Sequence, residues 1–207
     1  MSPMRVTEAT LLEHQARCRA CTRCVDDGTL PEANPTFEGR FGSRILLVGQ
    51  APGPAERETR RPFSGRAGRE LVRWMLRSGF ASEQDFRGRV YMCSIIRCFP
   101  GRTEDNRGDR RPPRQAILNC ASWLDAELQM LRPAVIIAVG QLAIERFLGP
   151  GRLEARVGER FGSDPVVLPL PHPSGQSRWL NAPANRARLE RALALLSDLV
   201  KCATASS

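Results

Sequence analysis

The sequence has no run of the ~18 apolar residues that a membrane-spanning helix requires, which excludes that class. Its opening segment, MSPMRVTEATLLEHQAR, lacks the apolar centre of a signal peptide. Together these absences lead to the expectation of a cytoplasmic protein. No internal repeat occurs, so a solenoid is excluded. No low-complexity stretch or long linker divides the 207 residues, so one domain over residues 1–207 is expected. Histidine occurs only twice, as His14 and His172.

Basic charge is plentiful. Lysine and arginine total 31 against 22 aspartate and glutamate, a formal charge of +9. Such a balance suits a polyanionic partner, because clustered basic side chains displace the counterions condensed on nucleic acid. The seven cysteines, an odd number in a chain expected in a reducing compartment, do not read as a disulfide framework. Metal or cluster ligation is expected in its place.

The stretch from Arg44 to Gly68, RILLVGQAPGPAERETRRPFSGRAG, organises the chain. Ile45 to Val48 is short and wholly apolar, as a buried strand of a parallel sheet is. Gly49, Gln50, Ala51, Pro52 and Gly53 follow as a tight turn without bulk, where a ligand can approach the backbone. Further strands are expected at Val90–Ile96, Ala134–Val139 and Val166–Leu170. Helices are expected at Thr7–Arg23 (apolar side Leu11, Leu12 and Ala16), Ala67–Gly79 (Leu71, Trp74, Met75 and Leu76), Gln115–Leu131 (Leu118 among its buried residues) and Asn185–Val200, with another after Gly140. The arginine-rich segment 99–114 reads as an exposed, mobile loop. Strands alternating with helices imply right-handed crossovers, hence an α/β fold: a three-layer αβα sandwich around a central parallel four-stranded sheet. Ligands of such sheets bind beyond the carboxyl ends of the strands.

Two constellations carry chemistry. Cys18, Cys21 and Cys24 form CxxCxxC, while Cys98 closes a strand and Cys120 falls within a helix. CxxC lets two thiolates of one turn reach one metal, and Cys98 and Cys120 complete a set of four. The spacing leaves zinc and iron–sulfur both open, and Cys24 rivals Cys18, since Cys21 with Cys24 is equally a CxxC. Cys93 and Cys202 read as plain core cysteines. The second constellation is His172, just beyond a strand end and held between two prolines, where an imidazole is placed to donate to a developing anion. His14 reads as a surface residue of the first helix.

The order GQAPG, RPFSGRAG, a strand ending in IRC, a later cysteine, AVIIAVGQLA and HPSGQS resembles the uracil-DNA glycosylase superfamily, in particular its iron–sulfur branch, families 4 and 5. The resemblance runs from about Cys18 to about Arg178. It implies a monofunctional glycosylase that flips uracil, or another deaminated base, out of DNA and hydrolyses the bond to the sugar. It implies a [4Fe-4S] cluster held by Cys18, Cys21, Cys98 and Cys120, with Cys24 as the rival to Cys18, and a monomer acting on DNA. A non-catalytic iron–sulfur DNA-binding protein on the same fold is the alternative.

By the same resemblance, His172 would donate to a base carbonyl and Phe63 would stack on the flipped base. Gly49, Ala51, Pro52 and Gly53 would shape its pocket. Ser174, Gly175, Gln176, Ser177 and Arg178 would meet the duplex. Where family 4 carries glutamate in the turn this chain has Gln50, which would orient water through its amide oxygen. Where family 4 reads the uracil edge with asparagine this chain has Ser94. The loop 99–114 is longer than usual and has no histidine. Glu56 and Glu58 read as exposed turn charges.

Overall fold

The computed structural model describes residues 6–174 and 178–205. Strands β1 (Ile45–Gly49), β2 (Val90–Ser94), β3 (Val135–Val139) and β4 (Val166–Leu170) form one sheet in the order β2-β1-β3-β4. Every pairing is parallel, with Gly49 opposite Ser94 and Val139 opposite Leu170. The chain starts in the middle of the sheet, crosses to one edge at β2 and returns past β1 to β3. The order therefore reverses between β1 and β3, which opens a crevice at their carboxyl ends.

Alternation along the strands sorts the core into two faces. Leu46, Val48, Ile136 and Ala138 pack with Leu11 of α1 (Glu8–Arg19), Leu124 and Leu131 of α6 (Arg114–Leu131) and Ile144 of α7 (Gln141–Leu148). Leu47, Met92, Ile137 and Leu168 pack with Leu71, Trp74 and Met75 of α4 (Arg66–Arg77), Phe86 of α5 (Glu83–Arg89) and Leu189, Leu193 and Leu196 of α8 (Pro183–Ala205). Helices thus cover both sides of the sheet, as its strands, apolar on both faces, require. Among the described residues no helix is long and apolar enough to cross a membrane.

Several sequence expectations need correction. Leu12, Leu76 and Leu118 are exposed, not buried. Each adjoins a residue that already faces inward, and successive helical residues point about 100° apart. The first helix ends at Arg19 and a separate turn, α2 (Arg23–Asp26), carries Cys24. Its start is as expected, with Thr7 and Thr10 forming a capping box. Strand β2 stops at Ser94 rather than Ile96, and α8 extends past both expected ends. The short helices α3 (Pro54–Thr59) and α5 carry too few apolar residues to show a helical period. Segment 99–114 is no unstructured loop: Arg102 and Asp109 pair as an antiparallel bridge, and the Thr103 and Arg110 amides donate to Gly108 and Gly101.

His14 is not a surface residue. Its side chain is 11% exposed and its Nε2 lies 3.5 Å from Glu127 Oε1. Glu127 is fully buried on α6, forms an ion pair with buried Arg97 and accepts a hydrogen bond from Tyr91 Oη at 3.0 Å. Burial pushes the Glu127 carboxyl up, but Arg97, His14 and Tyr91 together outweigh it and hold it below the usual range. Removing one member of such a pair strands the other charge in the core. Glu127→Ala is therefore expected to cost about 3–5 kcal/mol in urea unfolding, whereas Leu12→Ala at the exposed position should stay within about 0.5 kcal/mol.

Candidate active site

The turn after β1 is fastened by one carboxylate. Glu56 of α3 accepts the Gly53 amide at 3.0 Å through Oε2 and the Gly65 amide at 2.9 Å through Oε1. It therefore ties the GQAPG turn to the loop that carries Phe63. That loop is held from behind by Arg87 of α5, buried, whose guanidinium donates to the Pro62 carbonyl at 3.0 Å and the Phe63 carbonyl at 3.2 Å. Phe63 sits at φ 53°, a costly backbone region for a side chain of its size. Gly68 permits this geometry, since a β-carbon there would fall 1.8 Å from the Phe63 carbonyl oxygen. The ring and the Ser94 hydroxyl close over the end of β1, 3.0 Å and 3.2 Å from where a Gly49 β-carbon would stand.

His172 follows β4, with Pro171 and Pro173 buried on either side. Its ring lies along Gly140 at the end of β3, 3.5 Å from the place of a β-carbon there. Nδ1 accepts the Ser174 amide at 3.3 Å, an assignment that leaves Nε2 to carry the proton. The imidazole surface is open to the cavity, but protein crowds the volume around it. This desolvation pushes its pKa down from 6.5, outweighing the opposing pull of Asp109 and Glu56. The site thus presents a neutral N–H donor.

Ala51, Pro52, Gly53, Phe63, Ser94 and His172 line one cavity of about 350 Å³, with Thr36, Glu56, Arg102 and Asp109 completing its wall. That is enough for a small planar ligand. Gln50 is not among the lining residues; its carbonyl accepts the Ile96 amide at 3.3 Å. Ser174 is half-buried and Arg178 exposed, neither lines the cavity, and Gly175, Gln176 and Ser177 lie outside the described residues. Trp179 is half-buried, with its indole N–H donating to Glu154 Oε1 at 2.8 Å, so it anchors the segment after Arg178. Sequence reasoning missed Asp109, which nothing distinguishes from the other charges of a polar loop, and it took Arg102 only as one of several loop arginines that could line a DNA backbone. It also read Glu56 as an idle turn charge, although Gly53 and Glu56, with Gly65 beyond, hold a capping-box spacing.

A second small cavity, about 10 Å³, is walled by Cys21, Cys24, Cys98, Cys120 and Arg97. Cys18 is fully buried and is not among the residues of this wall, and burial pushes its thiol up to about 12, with Arg97 opposing the rise. The Asn119 side chain donates to the Cys24 sulfur at 3.4 Å and the Asn34 amide to the Cys98 sulfur at 3.4 Å. Arg97 Nε and Nη1 are buried and, among the described residues, make no hydrogen bond to nitrogen or oxygen, while the Cys93 sulfur lies beside the guanidinium. Cys93 is enclosed in β2, and Cys202 is exposed on α8 rather than in the core.

The family model described as the uracil DNA glycosylase superfamily matches residues 36–197. The chain is 32% identical to a type-4 uracil-DNA glycosylase of Thermotoga maritima over 76% of this chain and 78% of that protein. It is 27% identical to the type-4 enzyme of Archaeoglobus fulgidus, over 66% of this chain and 68% of that one. A type-5 uracil-DNA glycosylase of Pyrobaculum aerophilum is 29% identical, over 66% of this chain and 63% of its own length.

Two measurements check this geometry. In an NMR titration the His172 ring resonances should shift at a pH below 6.5, so that the ring is neutral at neutral pH; a midpoint above 6.5 contradicts the donor assignment. Gly68→Ala, which drives a methyl group into the Phe63 carbonyl, should destabilise the protein by about 1–3 kcal/mol in denaturant unfolding.

Proposed function

Because the chain belongs to the uracil-DNA glycosylase superfamily, we propose that it excises uracil, and other deaminated bases that fit the same cavity, from DNA and leaves an abasic site. The observation that carries this reading is the neutral His172, with its Nε2 proton available beside a cavity capped by Phe63. The target nucleotide swings out of the stack, because the bond to be broken is shielded within the duplex. Phe63 stacks on the base, and the turn from Gly49 to Gly53 approaches the sugar. As the bond between C1′ and the base lengthens, positive charge builds on the sugar and negative charge on the base. The His172 N–H stabilises the base oxygen where that charge collects, and it does so without becoming a cation. Ser94 offers one hydroxyl to the base edge, a shorter reach than an amide side chain, which suits a broad choice of deaminated bases. Gln50 holds the turn through its backbone.

The +9 charge supports a DNA partner. Ser174 and Arg178 bracket the segment that would meet the backbone, and such contacts set register without reading sequence. The relatives carry glycosylase names, which favours the catalytic reading over a non-catalytic DNA-binding protein. We assign a monomer to the active form.

The donor set around the second cavity, with its four cysteines, suits a thiolate-held [4Fe-4S] cluster once the side chains turn toward it. Cys21, Cys24, Cys98 and Cys120, from three segments, line one space, and the buried Arg97 stands at its wall as a cation beside them. We propose Cys21, Cys24, Cys98 and Cys120 as the ligands, with Cys18 buried and outside the set. When bound, the cluster supplies a cross-link between the N-terminal segment, β2 and α6.

An oligonucleotide with one deoxyuridine, treated with protein and then alkali, should be cut at that position. His172→Ala should slow single-turnover release by about 10²–10³-fold, the usual loss for a transition-state donor; an unchanged rate removes His172 from the mechanism. Cys24→Ala should abolish the brown colour and bound iron of anaerobically purified protein, while Cys18→Ala should keep both. The reverse result restores Cys18 to the set.

A further inference from the structure

The excision reading leaves the attacking water without a base, because the turn offers Gln50 where an acid would serve, and an amide takes no proton at accessible pH. Two carboxylates line the cavity. Glu56 has both oxygens engaged by backbone amides, at 3.0 Å and 2.9 Å. Asp109 does not. It lines the cavity from the bridged segment 99–114, and its Oδ2 stands 3.5 Å from the place of a β-carbon on Gly53. Among the described residues its ion-pair partner is Arg102, with Nε at 3.6 Å from Oδ1. Its side chain is 43% exposed, so water reaches it.

We propose that Asp109 is the catalytic base of the glycosidic step, holding and deprotonating the water that attacks C1′ of the flipped nucleotide; this rests on the excision reading above. The bookkeeping of bonds is complete within the site. A lone pair of the water oxygen forms the new bond to C1′, and the bond from C1′ to N1 breaks with its electron pair passing onto the base. The water proton goes to the Asp109 carboxylate, while the His172 N–H faces the oxygen of the departing base. The negative carboxylate also favours the cationic sugar before water arrives. Arg102 is a positioning residue: the bridge between Arg102 and Asp109 sets the loop so that the carboxylate faces the turn.

The charged groups facing Asp109 are Arg102 on its own segment, Glu56 on α3 and His172 after β4. Burial raises its pKa above 3.8; Glu56 adds to that rise, and Arg102 and His172 oppose it. Acidification protonates this carboxylate and removes the base, and the raised pKa places that loss at a higher pH than for a free aspartate.

The test is single-turnover release of uracil by the intact, cluster-containing protein, alongside binding to the same DNA. Asp109→Asn should slow release by about 100-fold or more, the scale of general-base catalysis, with affinity for the DNA unchanged. It should also lose the acid-side fall in rate that the unmodified protein shows, and Asp109→Glu should recover part of the rate. If the unmodified protein releases uracil and Asp109→Asn matches it, or if the variant loses binding but not its saturated rate, the assignment to Asp109 is overturned and excision stands. If the unmodified protein releases no uracil from single or double strands, the excision reading fails and takes this one with it.

Discussion

Four parallel strands with both faces covered must all end at one edge of the sheet, and everything in this molecule that can act on a ligand depends on that constraint. β1 delivers the GQAPG turn, β2 delivers Ser94, β3 delivers Gly140 and β4 delivers His172 to the same side. The reversal of strand order between β1 and β3 leaves space there that no crossover fills. A parallel sheet cannot be closed by tight hairpins, so each of these turns is followed by a helix, and the helices supply the fastenings. Glu56 binds the first turn to the Phe63 loop, and Arg87 holds that loop from beneath.

The opposite face of the sheet carries a different kind of support. Arg97 and Glu127 are a charged pair with almost no solvent contact, joined by Tyr91 and His14. Such a pair is costly to desolvate and adds little net stability compared with apolar packing. Arg97 adjoins Cys98 and lines the thiol-walled cavity, so the pair sits where a charge can act on the cysteines. The network thus couples the first helix, β2 and α6 at the place where three cysteine-bearing segments meet. The two cavities are linked through the chain that leaves β2: Ser94, the last residue of the strand, lines the candidate site, and Cys98, four residues on, lines the thiol-walled cavity.

Much of this arrangement was legible from residues alone because the signals are local. Four short apolar runs bounded by turns gave the strands, since a strand buried on both faces needs no alternation. GQAPG, RPF and HPSG stand at strand ends and could be found one at a time. Exposed Leu12, Leu76 and Leu118 misled because a cluster of apolar residues on a helix says how many face inward only once the neighbouring layer is known. His14 misled for the same reason: its partner Glu127 is more than a hundred residues away in the chain. Asp109 lay in a loop whose composition, rich in arginine, glycine and proline, reads as surface.

Sequence by itself determined the alternation of strand and helix, the GQAPG turn, the prolines around His172 and the presence of enough cysteines for a metal centre. These are properties of contiguous residues, set by backbone preference and apolar period. Only the tertiary structure decided which of Cys18 and Cys24 faces the shared cavity, that Glu56 spends its carboxylate on two backbone amides, and that Asp109 faces the turn where the chain carries Gln50. Each of those depends on distances between segments far apart in the chain, and no local spacing encodes them.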